Sequence, residues 1–163
     1  MPIPPLRFSK WVPWAKRDAI AHLELPGLYA VSVSRVRLGG TQFRWIPDIC
    51  YFGMTNSRGG LRARLTQFDR TLHSFIAHGG ADRFRFAYPD YTAVLPKIYV
   101  AVLPVAADVN AATPHDLRAM GAVAYLEYEC FARYHHKFGG VPQFNQRSAP
   151  KYSTTERDRR LAG

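Results

Sequence analysis

Cysteine is nearly absent from this chain, acidic residues are few, and no apolar run approaches the length that spans a bilayer. The two cysteines, Cys50 and Cys130, sit in apolar stretches without C-x-x-C spacing. That pattern excludes a disulfide framework and a cysteine-built zinc site, and reads as a pair of reduced core thiols. Internal repeats and long low-complexity linkers are missing as well. The opening residues, with Pro2, Pro4, Pro5, Arg7 and Lys10, lack the apolar stretch of a signal peptide, so the cytoplasm is the expected location. No clearly basic amphipathic helix points to a membrane surface.

The shortage of acid has a counterpart. Lys and Arg number 22 against 12 Asp and Glu, a formal net charge of +10 over 163 residues. An excess of that size predicts a positive surface whose natural partner is a polyanion. Arginine dominates, as in Arg58, Arg62, Arg64, Arg70, Arg83 and Arg85, and its planar fork suits phosphate better than the point charge of lysine. Hydrophobic residues make up 47% of the chain, an ordinary globular balance that one domain of this length can bury.

Residues 1–14 read as extended, with Trp11 or Trp14 anchoring them, and Lys16 to Leu23 as a short helix stopped by Pro26-Gly27. Leu28 to Val36 alternates apolar with polar residues and predicts a strand, and Ile49 to Met54 predicts a second. Gly39-Gly40 marks a turn between them, with Phe43 to Ile46 continuing a hairpin arm. Thr55-Asn56-Ser57 and Gly59-Gly60 carry loop and capping chemistry. Leu61, Leu65, Phe68, Leu72 and Phe75/Ile76 then recur at helical spacing, up to a stop at Gly79-Gly80. Residues 81–96 read as a mixed, extended segment, in which Arg83-Phe84-Arg85-Phe86 fits either a half-buried edge strand or an aromatic-interleaved nucleic-acid contact. Lys97 to Val105 is the third strand. Thr113 as N-cap and Pro114 at the first position open a helix running to about His136, with Gly139-Gly140 as its stop. The class is therefore α/β or α+β: a small three-stranded, mostly antiparallel sheet flanked by helices. An N-terminal extension over 1–26, a main domain over 27–146 and a basic tail over 147–163 complete the expected organisation.

Within that frame, Gly27-Leu28-Tyr29 opening one strand and Tyr51-Phe52-Gly53 ending the next resemble the paired tripeptides of the GIY-YIG nucleases. Met54-Thr55-Asn56 follows the second tripeptide in the manner of that family. Leu61-Arg62-Ala63-Arg64-Leu65 resembles its helical L-x-x-R-L element, and Pro142-Gln143-Phe144-Asn145 its P-x-[YF]-N ending. The likeness spans Gly27 to Asn145 with its elements in order. It implies a divalent-metal-dependent endonuclease that hydrolyses DNA. In that scheme Glu127 holds Mg²⁺ or Mn²⁺, Arg64 meets the scissile phosphate, Tyr29 or Tyr51 orients or deprotonates the attacking water, and Asn145 fixes the geometry of its neighbours. Gly53, Thr55, Arg58, Arg62, Arg147 and Lys151 are the expected nucleic-acid contacts. The DNA partner is expected to be double-stranded, cut by a homodimer or by sequential nicking, because the resemblance implies one active site per chain.

Helical phase separates the two candidate glutamates. Residues two apart point about 200° away from each other. Val123, Leu126, Cys130, Phe131 and Tyr134 define the apolar face that includes Glu127, whereas Glu129 shares its side with Arg133 and His136, where a solvated ion pair accounts for it. A carboxylate on a core-facing stripe is costly unless something there needs it. Two departures from the family pattern stand out. Phe68 occupies the position of its helical histidine, and His73, nine residues beyond Arg64, lies about 180° around the helix. The gap between Tyr29 and Tyr51 is also longer than usual, with Arg35 to Trp45 forming a basic, aromatic insertion suited to touching DNA. The missing histidine motivates an alternative, a nucleic-acid-binding module without catalysis.

Overall fold

Two strands and a turn of sequence at each end of them organise the chain, seen in a computed structural model that describes residues 4–73 and 78–162. Strands β1 (Val12–Pro13), β2 (Gly27–Val33), β3 (Ile49–Thr55) and β4 (Ile98–Pro104) form one antiparallel sheet in the order β1-β4-β2-β3. The expected three strands are thus joined by a fourth, in which Val12 and Pro13 pair with Val100 and Tyr99. A two-residue strand ending in proline belongs at a sheet edge, because proline has no N–H to give a further neighbour. Helices α1 (Gly60–His73), α2 (Gly79–Ala87), α3 (Tyr91–Val94), α4 (Pro114–Phe138) and α5 (Tyr152–Ala162) surround the sheet, with short 3₁₀ turns at Trp14–Ala19, Leu95–Lys97 and Gln143–Asn145.

Both faces of β2 are covered. Tyr29 and Val31 point into a core shared with Leu61, Leu65 and Phe68 of α1 and Phe84 of α2. Leu28 and Ala30 point the other way, onto Val123, Leu126 and Cys130 of α4. A strand enclosed on two faces has little room for polar alternation, and Ser32 and Ser34 are accordingly buried, with Ser32 Oγ donating to the Asp48 carbonyl at 3.0 Å. Helix α4 matches its capping signals closely. Thr113 Oγ1 accepts the Asp116 N–H at 3.2 Å, and Gly139 ends the helix in the left-handed region. Among the described residues no helix is long and apolar enough to cross a membrane.

Several local expectations give way to packing. Phe43 to Ile46 form no strand. Phe43 stacks on Phe8 at 4.4 Å and Trp11 at 5.3 Å, and Trp45 lies against Phe52 at 5.6 Å, so the aromatics of the presumed DNA-touching insertion are spent on the core. The helix expected over Lys16 to Leu23 is instead the 3₁₀ turn Trp14–Ala19. Gly79-Gly80 does not stop α1 but opens α2, so Arg83-Phe84-Arg85-Phe86 is helical. The period-2 look of that tetrapeptide is incidental. Ala81 and Phe84 are buried at helical spacing, whereas Phe86 is exposed. Phe75 and Ile76, expected at the end of α1, lie outside the described residues. The basic tail is also structured. Ser153 donates from its N–H to Asp82 at 3.0 Å and from its hydroxyl to the same carboxylate, while Arg85 lies 3.8 Å over the Tyr152 ring, docking α5 on α2.

The segment before Gly27 is stitched in by one carboxylate. Asp69 of α1 accepts from Trp14 Nε1 at 2.7 Å and from the Tyr91 hydroxyl at 3.0 Å, and pairs with Arg17 at 3.0 Å. Trp11 and Trp14 are both fully buried. Replacing Asp69 by Ala strands three donors at once and is expected to lower stability by about 2–3 kcal/mol, read as a shift of the urea midpoint at unchanged m-value.

Candidate active site

The register of β2 with β3 sets the site. Tyr29 lies opposite Gly53 and Val31 opposite Tyr51, which puts both tyrosines on the face that carries α1. A β-carbon on Gly53 would come within 2.5 Å of Tyr29 Cζ and 2.7 Å of Tyr51 Cε1. Only glycine leaves the two rings room, 5.9 Å apart, to lie across β3. On its other side Tyr51 meets Gly80, where a β-carbon would sit 2.3 Å from Cε2. The second tripeptide therefore ends in glycine for packing, and Gly53 is buried beneath the tyrosines rather than offered to a nucleic-acid backbone.

An imidazole from outside α1 packs against both Phe68 and Tyr51. His78 is buried, with its ring 5.0 Å from that of Phe68 and 5.5 Å from that of Tyr51. Its Nδ1 caps α2 by accepting the Ala81 N–H at 3.2 Å, and its Nε2 lies 2.7 Å from the Tyr29 hydroxyl. A neutral ring that accepts at Nδ1 carries its proton on Nε2. His78 therefore donates to Tyr29 Oη and leaves the phenolic hydrogen free. Burial first, and the Arg64 charge second, push its pKa down to about 3, so the neutral form prevails. The sequence read the adjacent glycine pair as a helix stop, which hid this residue. The one local signal was a histidine directly before that pair. His73 remains exposed on the far side of α1, against Tyr91.

Burial dominates both phenols. It holds Tyr29 well above the ordinary tyrosine range, with Tyr51 adding to the rise and Arg64 opposing it. Tyr51 is also raised by burial, but Arg64, Tyr29 and Arg83 all pull it down. His78 Nε2 thus meets the Tyr29 hydroxyl, and the Tyr51 ring lies 5.9 Å from that of Tyr29. Tyr29 is fully enclosed and Tyr51 is the outer member.

Glu127 belongs to α4, on the opposite face of the sheet; burial pushes its pKa up, Arg64 opposes the rise, and its own charge adds to the rise of Tyr51. β3 forms one margin of the sheet, with no further strand beyond it among the described residues. Asn145 seals the middle of that margin: Phe52 N–H donates to its Oδ1 and its Nδ2 donates to the Phe52 carbonyl, both at 2.8 Å. Asn145 therefore holds the strand between Tyr51 and Gly53. Glu129, by contrast, pairs with Arg133 at 2.7 Å. Glu127 has no hydrogen bond or ion pair among the described residues, and Arg64 Nε is buried without a partner, its Nη1 reaching only Gln67 at 3.2 Å.

A lone, partnerless carboxylate is an oxygen donor of the kind that holds a largely hydrated Mg²⁺ or Mn²⁺. Among the described residues no cluster of three His, Cys, Asp or Glu offers a full protein cage, so an ion at Glu127 would complete its shell with water and phosphate oxygens. Thr55 is not a surface contact. It is buried, with its hydroxyl 2.9 Å from that of Ser57 and accepting the Ser57 N–H at 3.1 Å, a turn that launches α1. Arg58 and Arg147 are exposed, Arg62 is exposed and 3.8 Å from Asp18, and Lys151 is half-buried beneath the first turn of α5.

The buried imidazole carries a pH signature. Between about pH 3 and pH 6.5 the unfolded chain binds a proton at His78 that the folded chain refuses. Its contribution to stability is therefore complete above pH 6.5 and declines as the pH falls through that window, by up to about 1.4 kcal/mol per pH unit. His78→Asn keeps a capping oxygen and should flatten this dependence, measured by urea unfolding at about pH 4 and about pH 7. An acid sensitivity unchanged in the variant would show that His78 does not carry it.

No protein-family model, curated protein or solved structure matches this chain, and the chemistry of the site rests on its own residues.

Proposed function

We propose that this protein is a metal-dependent endonuclease of the GIY-YIG type that hydrolyses phosphodiester bonds in DNA. The observation that carries the reading is that a half-buried guanidinium (Arg64) and a half-buried carboxylate (Glu127) form no ion pair among the described residues, while both act on the pKa of one phenol (Tyr51). An isolated cation and an isolated anion held partly buried near each other, without pairing, are costly in a merely structural role. They are useful when a phosphodiester and a cation must be bound between them.

Arg64 pairs with the non-bridging oxygens of the scissile phosphate and gains strength as charge accumulates there. Tyr51 Oη accepts a hydrogen bond from the attacking water and aims its oxygen at phosphorus. As a phenol whose pKa is raised, it orients that water in the resting protein rather than deprotonating it. Tyr29, fixed by His78 Nε2–H, packs beside Tyr51 and so helps to hold the ring that carries this oxygen. Asn145 keeps β3 in register beneath these groups. Mg²⁺ or Mn²⁺ bound at Glu127 would supply Lewis-acid stabilisation of the phosphoryl and leaving oxygens.

The net charge of +10 supports a polyanionic substrate, and the exposed Arg58, Arg62 and Arg147 are the backbone contacts of this reading. A single site per chain cuts both strands of a duplex either as a homodimer or by sequential nicking. Supercoiled plasmid incubated with Mg²⁺ or Mn²⁺ should be nicked, and EDTA should abolish the reaction. Glu127→Gln and Arg64→Gln should each lower the rate by about 10²-fold or more, with Glu127→Gln retaining DNA affinity. Retained binding without nicking in either metal would replace the enzyme by a binding module. Cleavage of RNA alone would change the substrate.

A further inference from the structure

Among the arginines, Arg17, Arg62 and Arg133 each face a carboxylate, from Asp69, Asp18 and Glu129 respectively. Two arginines that touch the interior do not. Arg64 and Arg83 are half-buried, each has its Nε enclosed without a partner, and neither forms an ion pair among the described residues. They come from separate helices that both pack against Tyr51, α1 through Phe68 with its ring 5.7 Å away and α2 through Gly80, and both charges oppose the rise of its pKa.

The route by which Arg83 reaches the site is specific. It lies one turn into α2, and its guanidinium folds back over Gly79. Nη1 is 3.5 Å from the Gly79 carbonyl, and a β-carbon on Gly79 would come 3.8 Å from the same nitrogen. The next residue, Gly80, presses on the Tyr51 ring. The guanidinium is thus held along the turn that touches the candidate water-orienting tyrosine. Its neighbour Asp82 is buried and turned towards Ser153, which donates to both of its oxygens, and forms no ion pair with Arg83. A partly buried cation with no internal counter-ion is stabilised by an anion from outside.

We propose that Arg83 forms a second phosphate subsite, which holds the phosphodiester next to the one engaged by Arg64. This rests on the reading of the site as one that binds a phosphodiester strand. It gives the strand two fixed points, one on α1 and one on α2, with Tyr51 between them. Arg83 then sets where the strand lies, while Arg64 meets the charge that develops during cleavage.

The subsite is tested by measuring the affinity of a short labelled duplex over a salt series, in EDTA so that no strand is cut, for the wild type, Arg83→Gln and Arg83→Lys. Arg83→Gln should bind about tenfold more weakly and reduce the magnitude of the log-affinity against log-salt slope by about 0.9, one phosphate contact. Arg83→Lys should keep the slope, which a merely structural role would not require, and covers the case in which Arg83→Gln fails to fold. In plasmid nicking at saturating DNA, kcat of Arg83→Gln should stay within about twofold of wild type, with the loss falling on KM. An unchanged slope and affinity in Arg83→Gln overturns the subsite. A loss of kcat as large as that of Arg64→Gln overturns its separation from the scissile phosphate. Wild-type protein that binds DNA through Arg83 but never nicks sinks the nuclease reading and leaves the subsite standing. Wild-type protein that binds no DNA at low salt sinks both.

Discussion

The absence of a side chain at Gly53, directly across the ladder from Tyr29, is the constraint from which the rest of the site follows. Two aromatic rings on adjacent strands normally compete for the surface between them. Here the vacant position lets Tyr29 lie over β3 and lets Tyr51 stand beside it, with Gly80 closing on the opposite face of the Tyr51 ring. The rings then present Phe68 and His78 with a single packed surface. A methyl group at either glycine would separate the rings and leave the imidazole without its Tyr29 partner.

Electrostatics build on that packing. Burial pushes both phenols up and His78 down, so the interior of the site is neutral in its resting state. Formal charge is left to Arg64, Arg83 and Glu127, which approach from three different helices and stay unpaired among the described residues. Among the described residues four buried side-chain atoms lack a partner, and two of them are the Nε atoms of Arg64 and Arg83. The β3 margin itself is protected. Asn145 engages both polar groups of Phe52 with its side-chain amide, and so closes part of an edge that would otherwise invite strand addition.

The outlying segments serve the same arrangement through buried carboxylates. Asp69 ties the Trp14 turn and Tyr91 to α1. Asp82, on the first turn of α2, holds the start of α5. That same turn carries His78 at its cap and Arg83 on its outer side, so the C-terminal helix braces the element that delivers both residues.

What the sequence alone determined was whatever depends on local periodicity and capping. The three long strands, helix α1 and helix α4 with its Thr113 and Gly139 boundaries were legible from spacing and termini. Helical phase anticipated the Glu129–Arg133 pair, whereas both glutamates prove half-buried and only their partners distinguish them. What only the tertiary structure decided depends on partners distant in the chain. The Phe43 and Trp45 rings chose the core over a hairpin because Phe8, Trp11 and Phe52 surround them. Gly79-Gly80 became the start of a helix because His78 supplies a cap that a histidine rarely provides. His78, 10 residues beyond Phe68, meets that ring only in the folded chain. Spacing along one helix can report what shares its face, but only the folded chain brings the cap of α2 to the hydroxyl of a tyrosine on β2.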